Sequence, residues 1–208
     1  MKHFIINIGR QLGSGGRSIA AILAHHYGIV AYDRNLIELA AKESGLSQEF
    51  FENADEKKQH GFFHSIFSNR VAANALGSND SYLSNDALFK VQSDIIRDLA
   101  EKESCIFIGR CADYILRDYP RCINLFFTAN IEDRIACMAT EKGITVERAA
   151  EHIEKTDRRR ADYYNYYSGK VWGASESYDL CVNTSHLGHE GTAQMLKEYI
   201  DKRVESEQ

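Results

Sequence analysis

The chain has 208 residues, 44% of them hydrophobic and 26% charged, with a formal net charge of −5 at pH 7. The length allows a substantial core and one or two domains, and the acidity excludes a global field that gathers nucleic acid, so anion binding has to come from local basic clusters. No apolar run is long enough to span a bilayer. The apolar run at 4–8 is too short for a secretory signal, so the expected setting is the cytoplasm, without membrane or nucleic-acid partners.

Residues 3–8 predict a buried strand. It runs into Gly9, Arg10, Gln11, Leu12, Gly13, Ser14, Gly15, Gly16, Arg17 and Ser18, and a helical pattern follows over 17–27 with apolar Ile19, Ile22 and Leu23. A glycine-rich turn between a strand and a helix is how a chain builds a phosphate cradle. Glycines accept φ > 0 and turn backbone N–H groups inward, and the helix adds its positive end. Gly16, Arg17 and Ser18 fit the second half of the phosphate-loop pattern G-x-x-x-x-G-K-[ST], with Gln11 at the first glycine position and Arg17 at the lysine position. Arg keeps the charge and can grip phosphate through two parallel hydrogen bonds. A dinucleotide fingerprint is the rival reading: Gly13 and Gly15 supply its first two glycines and Asp33 its ribose contact, but Ser18 stands where the third glycine belongs.

Gly28 ends the helix, and 29–32 reads as a short strand closed by Asp33. Helices are expected over 35–44 and 46–58. The segment 59–82, rich in Gly, Ser, Asn and Phe, predicts a flap or a helix followed by a loop. His60 and His64 have i,i+4 spacing without a third ligand, which reads as a polar face and no metal site. A long helix is expected over 85–103, a strand over 105–109, a helix through Leu116, a strand over 122–128 and a helix over 131–142. A further helix starts near Thr145 and runs into the basic patch at 155–160. Residues 178–183 read as the last strand and 192–204 as an amphipathic closing helix. Alternating strands and helices predict α/β with a parallel sheet. The five cysteines form no C-x-x-C pair and fit buried free thiols in a reducing compartment.

Further constellations carry chemistry. Arg158, Arg159 and Arg160 follow Asp157, with Asp162, Tyr163, Tyr164, Tyr166 and Tyr167 next. Three successive cations repel unless anions offset them, and phosphoryl transfer uses such cations on a segment that closes over the site. A solvated basic face is the plainer alternative. Gly109-Arg110 follows a central strand, where open α/β sheets bind ligands, and an Arg there suits an acceptor phosphate. Asp33 and Arg34 also stand at a strand end. Asp33 can organise Mg²⁺, accept the acceptor's proton or cap the next helix, and Arg34 can bind phosphate. Asn183, Thr184 and Ser185 end the last strand with polar groups fit for a nucleobase or for a cap.

Taken together, Gly13–Ser18, Tyr32-Asp33-Arg34, Ile108-Gly109-Arg110 with Asp113 and Tyr114, Asp157–Tyr164, and Tyr178–Ser185 resemble the cytidylate kinase-like family of phosphate-loop nucleoside monophosphate kinases. The resemblance implies one domain over 1–208 with a three-layer α/β/α P-loop NTPase fold around a five-stranded parallel sheet. It implies a monophosphate-binding insert over about 34–90 and an Arg-rich lid over about 155–172. The implied reaction is transfer of the ATP γ-phosphoryl group to CMP or dCMP. By that likeness Gly13, Ser14, Gly15, Gly16, Arg17 and Ser18 hold the ATP phosphates, and Ser18 ligates Mg²⁺. Asp33, Arg34, Arg110 and Asp113 would serve the acceptor; Arg17, Asp33, Arg158, Arg159 and Arg160 would carry the chemistry. Two positions depart from the pattern: Arg17 replaces the loop lysine, and Cys111 stands where an Asp follows the Gly-Arg pair, leaving Asp113 as the nearest carboxylate. The alternatives are a nucleotide sensor without activity and a kinase for another small acceptor. Oligomeric state is not legible.

Overall fold

Five short strands form one parallel sheet in the order β2-β3-β1-β4-β5, with β1 (Ile5–Arg10), β2 (Val30–Tyr32), β3 (Cys105–Ile108), β4 (Cys122–Thr128) and β5 (Leu180–Asn183). The computed structural model describes residues 3–37 and 80–206. The sequence expectations over 38–79, including His60 and His64, lie outside the described residues. β1 is central: Ile6 registers with Ile106 of β3 and with Ile123 of β4. Its residues Ile5–Ile8 are all buried, as an unbroken apolar run in a strand covered on both faces should be.

Among the described residues the helices include α1 (Gly16–Tyr27), α2 (Asp80–Lys102), α3 (Ala112–Ile115), α4 (Ile131–Lys142), α5 (Val146–Ser168) and α6 (Gly188–Ser206). On one sheet face Ile6, Ile8, Ile106, Ile108, Leu125 and Phe127 pack with Ile19, Ala20 and Leu23 of α1 and with Ala193, Leu196 and Ile200 of α6. Each fully buried Leu or Ile there is worth about 1.5–3 kcal/mol relative to exposure. A smaller cluster of Met138, Ala149 and Ile153 joins α4 to α5, and Leu12 packs against it. On the other sheet face Asn7 and Asn124, which are in register, share an Nδ2–H···Oδ1 bond of 2.9 Å.

The chain divides into two compact units, one of Met1–Arg34 with Arg97–Gln208 and one of Asn35–Ile96. The described part of the second comprises residues 35–37 and 80–96, in which Leu88, Ser93, Ile95 and Ile96 are buried. There the Ser93 hydroxyl donates back to the Phe89 carbonyl at 2.7 Å.

Among the described residues most predicted boundaries fall within a residue or two of the observed ones; α2 starts at Asp80, five residues before its expected start, and the other exceptions have local causes. The last strand starts at Leu180, because a 3₁₀ turn over Ser175–Ser177 precedes it and Asp179 caps the ladder with its own carboxylate, accepting from the Asn124 N–H at 2.6 Å. The closing helix starts at Gly188, four residues early, where Gly188 N–H donates to Thr184 O at 2.9 Å. The helix that enters the basic patch continues to Ser168. Nothing in Val146–Ser168 breaks it until Gly169 takes a left-handed conformation at φ 68°. All five cysteines are free; Cys105 and Cys111 are buried, whereas Cys181 on the edge strand is exposed. Among the described residues no helix is long and apolar enough to cross a membrane.

Candidate functional site

A parallel sheet puts the carboxyl ends of all its strands on one edge. The loop after β1, Asp33 after β2 and Gly109-Arg110 after β3 therefore share that edge. In the first, Gly13 and Gly15 have φ of 81° and 74°, and the Ser14 hydroxyl donates to Gln11 O at 2.8 Å. The loop opens onto α1, whose first turn has no acidic residue and whose N-cap, Gly15, offers no side chain. The first N–H groups of this helix thus keep their donors and their positive field for an external anion.

Neighbouring elements hold the loop rigid. Leu12 N–H donates to Asp157 Oδ1 at 2.8 Å, and Leu12 O accepts from Arg134 Nε at 2.8 Å. Arg134 also pairs directly with Asp157, both side chains being almost fully buried. A side chain on Gly13 would run into the Arg134 backbone. Just past β5 the Thr184 hydroxyl lies 3.0 Å from Ser14 O and 3.1 Å from Thr128 O, with one proton to share between them. His189 of α6 lies against Gly15 and leaves no room for a β-carbon there.

Cations converge on this loop. Arg17, 71% exposed, lies 3.6 Å from the Asp33 carboxylate. Asp33 stands between β2 and a helical turn over 34–37. Gly109, Arg110 and Cys111 all have positive φ (77°, 62° and 56°), a strained run for non-glycine residues that occurs where a site requires it. The Arg110 guanidinium lies 5.4 Å from the ring centre of Tyr163 on α5. Burial pushes the Tyr163 phenol up to about 12, against the opposing pull of Arg110 and Arg34. Arg160 donates to Arg10 O at 3.1 Å and lies 3.6 Å from Asp157. Burial and the nearby Arg17 and Arg134 lower its pKa, while Asp157 opposes them.

The structure therefore separates the three consecutive arginines. Arg160 lies at the loop, one turn along the face that carries Asp157. Arg158 pairs with Glu154 at 2.6 Å, both about 70% exposed, and Arg159 is exposed too. Asp113 is held within the fold: its carboxylate accepts from Tyr164 O–H at 2.7 Å, and burial raises its pKa despite that bond. Ser18 is exposed in the first turn of α1, one residue after Arg17. Its hydroxyl and the Asp33 carboxylate are hard oxygen donors, the kind Mg²⁺ takes alongside phosphate oxygens and water.

Residues 5–186 match the cytidylate kinase-like family. The chain belongs to that family. Relatives include the cytidylate kinases of Thermococcus kodakarensis, 25% identical over 95% of this chain and 88% of that protein, and of Methanopyrus kandleri, 26% identical over 98% and 96%. Among solved structures, an uncharacterized protein from Eubacterium ventriosum is 28% identical with a TM-score of 0.73, covering 97% of this chain and 99% of that one. Shikimate kinase from Bacteroides thetaiotaomicron, 11% identical with a TM-score of 0.54 over 95% and 98% of the two chains, shares the fold alone. The fold is thus α/β of the P-loop kinase type, and by family the chain is a nucleoside monophosphate kinase.

For this family member the sequence reading missed Arg10, the last residue of β1. It is half-buried, and among the described residues no carboxylate pairs with its guanidinium. Burial and the neighbouring Arg160, Arg17 and Arg110 pull its pKa down to about 9, with Asp33 opposing. Its sequence signal was present in the cation that closes an otherwise buried central strand. The clamp of Arg134 on Asp157 and Leu12 had no such signal, because Arg134 lies on a helix that reads as ordinary.

Proposed function

We propose that this protein transfers the γ-phosphoryl group of ATP to CMP or dCMP with Mg²⁺. The carrying observation is the uncapped N-terminus of α1, with Arg17 in its first turn, the preceding loop held by the Leu12 clamp, and Arg160 and Arg110 gathered about Arg10 at the start of that loop. The cytidylate kinase names of the relatives support the choice of acceptor. In this reading the N–H groups of Gly13–Ser18 hold the donor's β- and γ-phosphates. Arg110 and Arg34 hold the acceptor's phosphate, and Arg160 brings charge from α5. Ser18 and Asp33 would hold the Mg²⁺, which neutralises phosphate charge when bound. An oxygen of the acceptor's phosphate bonds to the γ-phosphorus, the bond from that phosphorus to the β–γ bridging oxygen breaks, and the electron pair leaves on ADP. The chain's part is positioning and charge stabilisation, with no covalent intermediate.

The test is ATP consumption with Mg²⁺ against CMP, dCMP, UMP, AMP, GMP and TMP, with the diphosphate product identified by chromatography. CMP and dCMP should give the highest kcat/KM. Preference for another monophosphate would refute the cytosine assignment, and no turnover with any of them would refute the reaction.

A further inference from the structure

We propose that Arg10 is a phosphoryl-binding residue of this site and supplies the half-buried cation at the transferring group, with the loop's own Arg17 in a secondary place; this rests on the kinase reading above. The space around Arg10 carries the argument. Its Cβ and Cγ each lie 2.9 Å from where a β-carbon on Gly16 would stand, and its Nη1 lies against Gly109, where any side chain would collide with it. Gly109 has a positive φ and would be glycine for that reason too. Gly16 begins the α1 helix and is not among the residues with positive φ, so the contact with Arg10 is what excludes a side chain there. The loop after β1 gives up a side chain to the stem of Arg10, and the tip of the same arginine lies at the turn after β3. That guanidinium consequently lies between the phosphate cradle and the turn that carries Arg110, which is where a phosphoryl group passes from donor to acceptor.

The surroundings of Arg10 make no sense as a structural ion pair. Arg160, Arg17 and Arg110 face it, and Asp33, the carboxylate that opposes them, lies 3.6 Å from Arg17. Among the described residues a half-buried guanidinium facing three others is a cost that Asp33 alone opposes, and an entering anion offsets it. Arg17 has the opposite character. It is largely exposed and directed to Asp33, so it meets phosphate through solvent, where a charge is worth less. Catalytic power of this kind belongs to the cation held in place and shielded from water.

The test uses Arg10→Met, Arg10→Lys and Arg17→Ala in the full chain, with two readouts. The first is thermal unfolding without ligand and with inorganic tripolyphosphate. Arg10→Met, similar in length and uncharged, should melt at or above the wild-type temperature without ligand and lose most of the tripolyphosphate-induced rise. The second readout is kinetic, with the preferred monophosphate. Arg10→Met should lose at least roughly 10²-fold in kcat with a smaller change in KM for ATP. Arg10→Lys should recover part of that loss, and Arg17→Ala should retain more turnover than Arg10→Met. Two results would overturn the proposal: an Arg10→Met protein with wild-type kcat, or one that melts lower without ligand yet keeps its full response to tripolyphosphate. If Arg10→Met does not fold, Arg10→Lys decides: wild-type kcat and tripolyphosphate response in it would overturn the requirement for the guanidinium. If the wild type phosphorylates no monophosphate, the tripolyphosphate arm still decides, because loss of the response in Arg10→Met upholds the anion site and its survival refutes it.

Discussion

Two helices of this chain begin in opposite ways. α5 completes its own N-terminus: the Thr145 hydroxyl accepts from the Arg148 N–H at 3.4 Å, and Glu147 puts a negative charge in the first turn. The backbone N–H groups there hold the Glu147 carboxyl below its usual range. α1 has a left-handed glycine for a cap, no acid, and a cation at its second residue. Local stability would favour the α5 arrangement everywhere. The α1 arrangement leaves N–H donors for an anion from outside, so in the proposed reading the less satisfied terminus marks the site and the well-satisfied one belongs to the scaffold.

Substitutions can break or sharpen this contrast. The largest effect should come from Gly13→Ala, where φ of 81° and the Arg134 backbone both oppose a β-carbon. The left-handed conformation costs about 1–2 kcal/mol per non-glycine residue, and displacing the loop should lower kcat/KM by more than about 10³-fold, measured by product formation. Next, Arg160→Ala should lower kcat by roughly 10²–10³-fold, whereas Arg158→Ala, which removes only a solvated pair with Glu154, should stay within about threefold. Equal losses in the two would mean that this face of α5 does not define the site.

A smaller effect tests the support of α5 through Asp113. Its raised carboxyl pKa means that the folded state holds more protons than the unfolded one between the ordinary carboxylate range and the raised value. Stability should therefore fall as pH rises through that window. Asp113→Asn, which can still accept from Tyr164, should flatten the fall in melting temperature. A wild-type fall that persists in the variant would assign it to another group. Smallest of all, Thr145→Ala should cost about 1 kcal/mol in urea unfolding and leave the affinity for tripolyphosphate unchanged. A change in that affinity would show that the two termini are not separate in role.

The same contrast separates what was legible in the sequence from what was not. The phosphate loop was legible because it is local: an apolar strand, glycines and a cation next to a helical pattern fix the turn through neighbouring φ values alone. Arg110 was legible by position, since a parallel sheet places every strand's carboxyl end at one edge. Asp113, expected to serve the acceptor, accepts from Tyr164 O–H on α5, a contact between distant residues that chain spacing does not show.

The sequence by itself determined the five strands, the P-loop, the parallel order of elements and the family, since each rests on spacing within a few residues or on motifs in chain order. Only the tertiary structure decided which of Arg158, Arg159 and Arg160 reaches the loop, that Arg134 and Asp157 clamp Leu12, and that Gly16 and Gly109 make room for Arg10. Long cations look alike in a sequence. Their roles come from which of them is desolvated and what faces it, and those are contacts between residues as far apart as Arg10 and Arg160.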